Sequence, residues 1–315
     1  MALSYFQNFL HIIQYVTVKA FMGSYKAAQC HIINFRENDR QENWMRQVLG
    51  ELRRQKDGLI RFGFYFGKGG THTSRTIMLQ ELRTLLTCVD GVNAGRPDYL
   101  RSIVDENCLG KRSAKTRQLT YNHLVSLYSL DPSNTLYRAL LYFWRRDRSG
   151  LPLLALLCAY SRDTVLRMTA PYILNFSEGA LVSREALESF IDQKEPGRFS
   201  KATLKSTAQN LNASWTSSGH LVGRSRKNRS RALPTVGSVA YALFLGYLNG
   251  ARGEGLFTTE YVKVLDCSRN RLIELATEAS LKGWIVFKRV GNIMEVLFPN
   301  LLNQQEMEWI REQAP

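Results

Sequence analysis

The sequence predicts a mainly α-helical protein, in which an N-terminal helical bundle is followed by two winged helix-turn-helix-like modules with short β-hairpins. Apolar residues recur at spacings of three and four between residues 74 and 174, without the alternation that a sheet would need. After residue 179, a pattern of helix, turn, helix and short hairpin occurs twice. We expect four regions: a helical extension (1–60), a helical bundle (61–178), and winged modules at 179–250 and 251–315.

Helices account for the whole first half in this prediction. Their expected ranges are 5–22, 42–55, 74–88, 97–105, a helix capped by Ser113, then 121–128, 135–145, 151–160 and 163–174. Polar residues interrupt the apolar segment 5–22. Because of these interruptions, the segment is typical neither of a signal-peptide core nor of a bilayer span. The apolar segment 151–160 is too short to cross a membrane. We therefore expect a cytoplasmic protein with no membrane partner.

The positive charge of the chain is concentrated in one stretch without acidic residues. The whole chain carries 42 basic and 27 acidic residues, a net charge of +15, with a pI near 9.7. Between Glu195 and Glu254 there is no Asp or Glu, and nine basic residues lie there: Arg198, Lys201, Lys205, Arg224, Arg226, Lys227, Arg229, Arg231 and Arg252. Such dense like charge favours a polyanionic partner, of which nucleic acid is the commonest. A solvated loop that only aids solubility is the alternative.

The first winged module is predicted from this stretch. A helix at 183–193, capped by Ser183, comes first. A helix at 199–215 follows, with an apolar stripe formed by Leu204, Ala208, Leu211 and Trp215. Its opposite face carries the candidate DNA-binding residues Lys201, Lys205, Gln209 and Asn212. Strands at 219–223 and 232–237 would flank a basic tip at 224–231, which adds Arg224, Arg226, Lys227, Arg229 and Arg231.

A second basic cluster lies in the predicted bundle, at the start of the helix that Ser113 caps. It comprises Lys111, Arg112, Lys115 and Arg117. Cations at a helix N-terminus oppose the helix dipole, by roughly 0.3–1 kcal/mol each at an exposed site. This unfavourable placement suggests a use, and we expect phosphate contact.

The second winged module has a clearer pattern and a weaker positive charge. Helices at 258–265 and 268–282, the latter capped by Ser268, precede strands at 284–288 and 293–298. The candidate DNA-binding residues are Arg269, Asn270, Arg271, Lys288 and Arg289, which are types that contact bases and phosphates. Glutamates dilute the positive charge, so DNA contact and protein contact both remain open for this module.

Signals for catalysis, cofactors or metals are weak. The five histidines lie far apart without metal-ligand spacing, and no Gly-x-Ser-x-Gly motif occurs. The glycine-rich turn Lys68-Gly-Gly-Thr71 lacks the remainder of a nucleotide-binding loop. The five cysteines form no Cys-x-x-Cys pair, and we expect them to be reduced thiols. We therefore predict no catalytic residue, no cofactor and no metal ion.

The stretch from about residue 64 to 220 resembles the BrxA family, the small helical component of BREX phage-defence systems. The segments that carry the resemblance are Phe66-Gly-Lys-Gly-Gly70, Glu106-Asn-Cys-Leu-Gly-Lys-Arg-Ser-Ala-Lys-Thr-Arg117, Leu156-Leu-Cys-Ala-Tyr160, and Ser183-Arg-Glu-Ala-Leu-Glu-Ser-Phe190 with the helix after it. The second segment is the most specific. The first 60 residues and the region after His220 are longer than in the usual family member.

The resemblance implies a non-enzymatic, all-helical DNA-binding protein, similar in part to the antitermination factor NusB. It also implies BREX partners: a methyltransferase, an ATPase and a phosphatase-like protein. The expected function is binding of double-stranded DNA, largely through phosphates, within a phage-defence system. A protein-interaction scaffold and an RNA-binding NusB-like factor are the alternatives.

Overall fold

Helices build most of the chain in the computed structural model, which describes residues 55–89, 94–291 and 293–312. The helix predicted at 5–22, and all but the last residue of the one predicted at 42–55, lie outside this part. After helical residues 55–62, the bundle comprises α1 (Leu79–Cys88), α2 (Arg96–Leu100, continuing as π-helix Arg101–Asp105), α3 (Ala114–Tyr128), α4 (Thr135–Arg146), α5 (Leu151–Arg162) and α6 (Thr164–Leu174).

The C-terminal half adds further helices and two hairpins. Its elements are α7 (Arg184–Lys194), α8 (Lys201–Ser217), β1 (Leu221–Val222), β2 (Asn228–Arg229), α9 (Val236–Leu248), a 3-10 helix Gly253–Thr258, α10 (Glu260–Lys263), α11 (Arg269–Leu281), β3 (Val286–Val290), β4 (Ile293–Leu297) and α12 (Gln304–Glu312). The mainly helical class and the two small antiparallel strand pairs are confirmed.

Several helix starts follow from local capping, as the sequence predicts. Ser113, Ser183 and Ser268 each accept a hydrogen bond from the backbone N–H three residues ahead, at 3.0 to 3.3 Å. Ser200 caps α8 in the same way. A side-chain oxygen at this position pairs an N–H that has no partner inside the helix, and therefore fixes the first turn.

One predicted helix begins later than expected. Residues 74–78 precede α1 instead of opening it, and Met78 has a left-handed φ of 51°. The reason is tertiary: the N–H of Ile77 donates to Ser214 Oγ at 2.9 Å, and its carbonyl accepts from the Tyr128 hydroxyl. Because distant residues take both backbone groups of Ile77, it does not join the helix.

The core is organised around two helices that are apolar on nearly every side. In α5 and α9 almost every residue is buried, which is typical of helices enclosed by others. Helix α9 packs against α4, α5, α10 and α11. From the sequence, the apolar segment 238–248 is expected to join the two winged modules; in the structure this helix also packs on the bundle helices α4 and α5.

The first hairpin differs from the predicted one. Leu221 pairs with Arg229 and Val222 with Asn228, whereas residues 232–235 form no strand. Segment 179–182 also pairs with residues 227–229. Arg229 N donates to Ala180 O, and Val182 N donates to Lys227 O, both at 2.8 Å. The turn is therefore shorter, at 223–227. Gly223 permits it, since a Cβ there would lie 2.1 Å from Arg226 O.

The second hairpin pairs the two predicted segments, but its first strand runs to Val290 instead of ending at 288: Val286 lies opposite Leu297 and Val290 opposite Ile293. The described residues, from 55 to 312, form one compact unit by their contacts, and one hydrophobic cluster includes side chains from the bundle and from both later regions. The boundaries predicted at 178 and 250 stay predictions. Within the described residues, no helix is long and apolar enough to span a bilayer.

Candidate nucleic-acid interface

Helix α8 has one buried and one exposed face. The predicted stripe of Leu204, Ala208, Leu211 and Trp215 is buried. Lys201, Lys205 and Gln209 are exposed, as expected from their spacing along a single face. The prediction that Asn212 is exposed with them is wrong, because this residue is only 5% exposed. It lines a cavity. By the 3.6-residue period it lies on the same side of α8 as Lys201 and Lys205, so its burial comes from neighbouring segments, of which 181–185 and 224–227 line the same cavity.

The basic turn after β1 lies on the surface. Arg224 and Arg226 are exposed and form no ion pair within the described part of the chain. Lys227 is partly buried, and its Nζ donates to Gly223 O at 2.6 Å. Burial lowers the pKa of this amine. We call residues 223–227 the basic turn; it carries three cations on a short, tightly folded segment.

A cavity of about 680 Å³ lies between α8 and the basic turn, and it brings these two predicted elements together. Its wall includes Gln209 and Asn212 from α8, and Arg224, Arg226 and Lys227 from the turn. The remaining wall is the start of α7 with the residues just before it, at 181–185. Sequence reasoning missed Arg184 here, since Glu185 follows it, Glu188 lies one helical turn further on, and nothing in the pattern marks it.

Arg229 is not part of a surface for phosphates, contrary to prediction. Its side chain is 3% exposed, and Nη2 lies 2.6 Å from Asp266 Oδ2. Nη1 also donates to the carbonyl of His220 at 3.2 Å. Arg229 belongs to β2, so the ladder turns its side chain inwards. It therefore joins the first module to the turn between α10 and α11.

Other charges of the acid-poor stretch are also held by the protein. Arg231 is exposed, but its Nε lies 3.2 Å from Glu178 Oε2. Arg198 pairs with Glu195 at 3.2 Å, and Arg252 donates to the carbonyls of Tyr247 and Ala251. The nine charges therefore do not act as one surface. The basic turn and the exposed face of α8 retain five of them: Lys201, Lys205, Arg224, Arg226 and Lys227.

The cluster at the start of α3 is partly engaged. Lys111 Nζ lies 3.0 Å from Glu81 Oε1 of α1, and both side chains are mostly buried. Arg112 and Lys115 are exposed. Arg117 is partly buried, and its Nε has no hydrogen-bond partner among the described residues. Only Arg112 and Lys115 are thus readily available to an anion.

The candidate residues of the second module face carboxylates. Arg269 pairs with Glu254, Arg271 lies 2.9 Å from Glu274, and Lys288 lies 3.5 Å from Glu295. Arg289 Nε donates to Gly291 O at 3.1 Å, and Asn270 is exposed. These pairs reduce the positive field on this module.

His72 forms buried contacts that its position in the sequence does not reveal. His72 Nδ1 lies 2.9 Å from Asp163 Oδ2, and its Nε2 lies 2.9 Å from Ser214 Oγ. These are the residue types of a hydrolytic triad. All three side chains are at most 1% exposed, so no substrate can reach them in this conformation.

The physical role of this network is to join three elements. Asp163 Oδ1 caps α6 by accepting from Val165 N and Leu166 N, and Ser214 Oγ lies on α8. The network therefore fixes α8 against the bundle. Elsewhere in the described ranges, no group of three His, Cys, Asp or Glu side chains is placed to hold a metal ion.

Comparison with models of known protein families finds no match to this chain, and a search of curated proteins finds none either. The likeness to the BrxA family thus rests on the sequence segments quoted above.

Proposed function

We propose that this protein binds double-stranded DNA through α8 and the basic turn, mainly by contacts to phosphates. The observation that carries the proposal is a set of five basic side chains on two neighbouring elements: Arg224, Arg226 and Lys227 line the cavity between α8 and the basic turn, and Lys201 and Lys205 are exposed on α8. Four of them, Lys201, Lys205, Arg224 and Arg226, form no ion pair within the described ranges. Elsewhere many basic side chains are paired with carboxylates. The unpaired cations of this surface therefore produce a positive potential that favours a polyanion.

The order of elements supports a winged-helix reading of this surface. The strand-like segment 180–182 is followed by α7, α8 and the hairpin β1–β2, with Leu181 bridged to Asn228. In a winged helix the second of the two paired helices occupies the major groove, and the hairpin turn contacts the adjacent backbone. By this proposal, α8 enters the groove and the basic turn contacts the adjacent backbone.

The dimensions of α8 agree with this role. Lys201, Lys205 and Gln209 lie at successive intervals of four residues, so they span about 12 Å along the helix. The major groove is about 12 Å wide, and phosphates line both of its edges. The two lysines can therefore contact backbone while Gln209 lies further into the groove. Such contacts position the protein but carry little sequence information.

The likeness to BrxA extends the proposal to a cellular setting. In that setting the chain is a non-enzymatic DNA-binding member of a phage-defence system, acting beside a methyltransferase, an ATPase and a phosphatase-like protein. Structured RNA is the alternative polyanion that the partial likeness to NusB suggests. Competition between duplex DNA and structured RNA of equal length distinguishes the two.

Fluorescence anisotropy with a labelled duplex over a series of salt concentrations tests the proposal. For wild type we expect affinity to fall steeply as the salt concentration rises. The slope of log affinity against log salt concentration should be about −0.9 for each phosphate contacted. The variant with Lys201, Lys205, Arg224 and Arg226 all changed to Ala should bind weakly and lose most of this slope. Because the four side chains are exposed and unpaired, its melting temperature should stay close to that of wild type.

The matched control changes Arg269 and Arg271 to Ala in the second module, where each side chain already pairs with a carboxylate. We expect this variant to keep the affinity and the salt slope of wild type. Unchanged binding by the quadruple variant, or equal losses in the two variants, would remove the first module from the proposal.

A second candidate function, protein contact, is favoured for the second module by its exposed apolar side chains. Val290 and Ile293 are paired across the end of the hairpin, and each is 77% exposed. Leu281, at the end of α11, is also exposed. Apolar side chains at the end of a hairpin in which Lys288 pairs with Glu295 fit a protein partner better than a phosphate backbone.

A further inference from the structure

The outer face of the second hairpin lies on the surface, although four of its six side chains are apolar. Residues directly opposite each other in an antiparallel pair share one face of the sheet, and every second pair shares that face. The outer face therefore carries three pairs: Val286 with Leu297, Lys288 with Glu295, and Val290 with Ile293. We call these six residues the hairpin face. The opposite face contains the buried Met294 and Val296, through which the hairpin packs on the core.

The apolar side chains of the hairpin face form a group. Val290 and Ile293 are each 77% exposed, and Leu297 is 41% exposed. Val286 is partly buried. Single exposed apolar residues are ordinary on a protein surface, but a contiguous group marks an interaction site. Four apolar side chains around one ion pair on a single sheet face form such a group.

The edges of this hairpin are less accessible than its face. Beside β3, the N–H of Phe287 donates to Ser280 Oγ of α11 at 3.0 Å. Beside β4, the 3-10 helix Gly253–Thr258 packs against the strand, and a Cβ on Gly253 would lie 3.1 Å from Met294 O. Both edges are thus hindered for the addition of a partner's strand. A partner of this hairpin should therefore meet the hairpin face.

The two charges on the hairpin face complement each other. Lys288 Nζ lies 3.5 Å from Glu295 Oε2, and the side chains are 67% and 52% exposed. The face is therefore neutral, whereas the whole chain has a net charge of +15. A strongly charged partner gains little from a neutral face. The complementary surface presents one anion, one cation and apolar side chains, and a second copy of the hairpin face has this composition.

The positions of the two charges select one symmetric arrangement. In a twofold dimer the same patch occurs on both copies, so that residue i contacts residue j and j contacts i. A twofold axis between the two faces and parallel to the strands places Lys288 of each copy on Glu295 of the other, and Val290 on Ile293. An axis across the strands would bring like charges together, which is unfavourable. The first arrangement forms a ring of four alternating charges between apolar contacts.

We propose that the hairpin face binds the same face of a second copy of this chain, with reciprocal ion pairs between Lys288 and Glu295. The proposal rests on the protein contact proposed for the second module, and it names the partner. Six residues are few beside the roughly 20–30 that each partner contributes to a standard interface, so the dimer is weak, half formed on the order of 10 µM. DNA binding by the first module uses other residues.

Sedimentation equilibrium over a concentration series tests the proposal, at about 0.15 M salt, where repulsion between the net charges is screened beyond about 8 Å. For wild type, the average mass should rise from monomer to dimer. Ile293→Ser should raise the midpoint concentration by about tenfold or more, because an apolar contact is lost on both copies. Leu233→Ser is the matched control at another exposed apolar side chain, and it should dimerise as wild type does.

Charge reversal tests the twofold arrangement itself. Lys288→Glu gives the hairpin face two carboxylates and Glu295→Lys gives it two amines, so each variant alone should be monomeric. Mixed in equal amounts, the two variants should form a heterodimer, because each carboxylate then meets an amine. The double reversal, Lys288→Glu with Glu295→Lys, should dimerise as wild type does. An ion pair that acted only within one hairpin would give no recovery on mixing.

The failures can be told apart. Wild type that stays monomeric at roughly ten times the expected midpoint, or variants that do not pair when mixed, would overturn the proposal. A dimer that Ile293→Ser leaves unchanged would mean that the copies associate elsewhere, and protein contact by the second module would fail as well. DNA binding is measured separately by anisotropy, in which Ile293→Ser should match wild type. Circular dichroism confirms that each variant is folded, and the wild-type series needs no variant.

Discussion

At the scale of single residues, burial separates side chains that look alike in the sequence. Arg224 and Arg229 belong to one basic run, yet Arg224 is exposed while Arg229 is sealed against Asp266. An exposed cation can exchange water for a phosphate at little cost. A buried ion pair instead holds two elements in register, and its loss leaves an uncompensated charge.

Replacing Arg229 with Met is expected to lower the free energy of unfolding by about 3 kcal/mol, because Asp266 would lose its buried partner. Arg224→Ala is the control and should change stability by less than about 0.5 kcal/mol. Urea denaturation followed by circular dichroism measures both. Equal stability of the two variants would contradict the structural role of Arg229.

His220 makes the stability of the fold sensitive to acid. Its Nε2 lies 2.7 Å from Val264 O and its Nδ1 lies 2.9 Å from Ser218 Oγ, in a fully buried site. Burial lowers its pKa to about 4, with the hydrogen bond to Val264 and the charge of Asp266 acting in the opposite direction. The ordinary value for an unfolded chain is about 6.5.

Between pH 6.5 and 4 the unfolded chain therefore binds a proton at His220 that the folded protein does not. This contribution to stability is complete above pH 6.5 and is lost as pH falls towards 4, by about 3 kcal/mol in all. Urea midpoints of wild type and His220→Gln should converge across this window. A constant difference between the two proteins, with the other histidines present in both, would show that His220 does not titrate as described.

At the scale of elements, α8 shows how one helix supports both the fold and the proposed interface. Its buried stripe packs on α7 and on residues 71–73, while Lys201, Lys205 and Gln209 lie outside. Ser214 and Asn210 hydrogen-bond to His72, at 2.9 and 3.0 Å. The helix is thus fixed in rotation, which is what presents its basic face on the same side as the basic turn.

Leu211→Ala is expected to destabilise the protein by roughly 2–5 kcal/mol, because Leu211 is fully buried and a cavity would remain. Lys205→Ala, on the exposed face, should leave the melting temperature unchanged. Differential scanning calorimetry compares the two. A Leu211→Ala protein that melts with wild type would mean that the stripe does not face the core.

At the scale of the whole molecule, the regions predicted as winged modules share packing with the bundle. Helix α9 packs on bundle helices α4 and α5 and on α10 and α11 of the second module. Glu306 of α12 pairs with Arg138 of α4 at 2.6 Å. Such shared packing favours cooperative unfolding, because no part can lose its contacts without exposing the core of another.

Single-tryptophan variants test this expectation. Trp144 reports on the bundle, Trp215 on the first module and Trp284 on the second, and the other tryptophans are replaced by Phe in each variant. After correction for each variant's overall stability by circular dichroism, all three fluorescence transitions should coincide with the loss of helix. Separate midpoints would support independent domains with boundaries near 178 and 250.

The sequence by itself determined the helical class, the serine caps at residues 113, 183 and 268, and the apolar stripe of α8. These features depend on local backbone geometry and on periodicity, which neighbouring residues specify directly. The acid-poor stretch also located the basic turn. The family resemblance and the function that it implies remain predictions, because no matching family model or curated protein supports them.

Only the tertiary structure decided which charges are available and which polar groups lie buried. Arg229 is buried against Asp266 and is therefore not on the surface. Strand pairing gives the first hairpin other strands than the predicted ones. Asn212 of α8 and the basic turn line one cavity. Each depends on a contact between segments far apart in sequence or on the cover that neighbouring elements provide. Periodicity within one helix specifies which side chains share a face; it does not specify what will pack against that face.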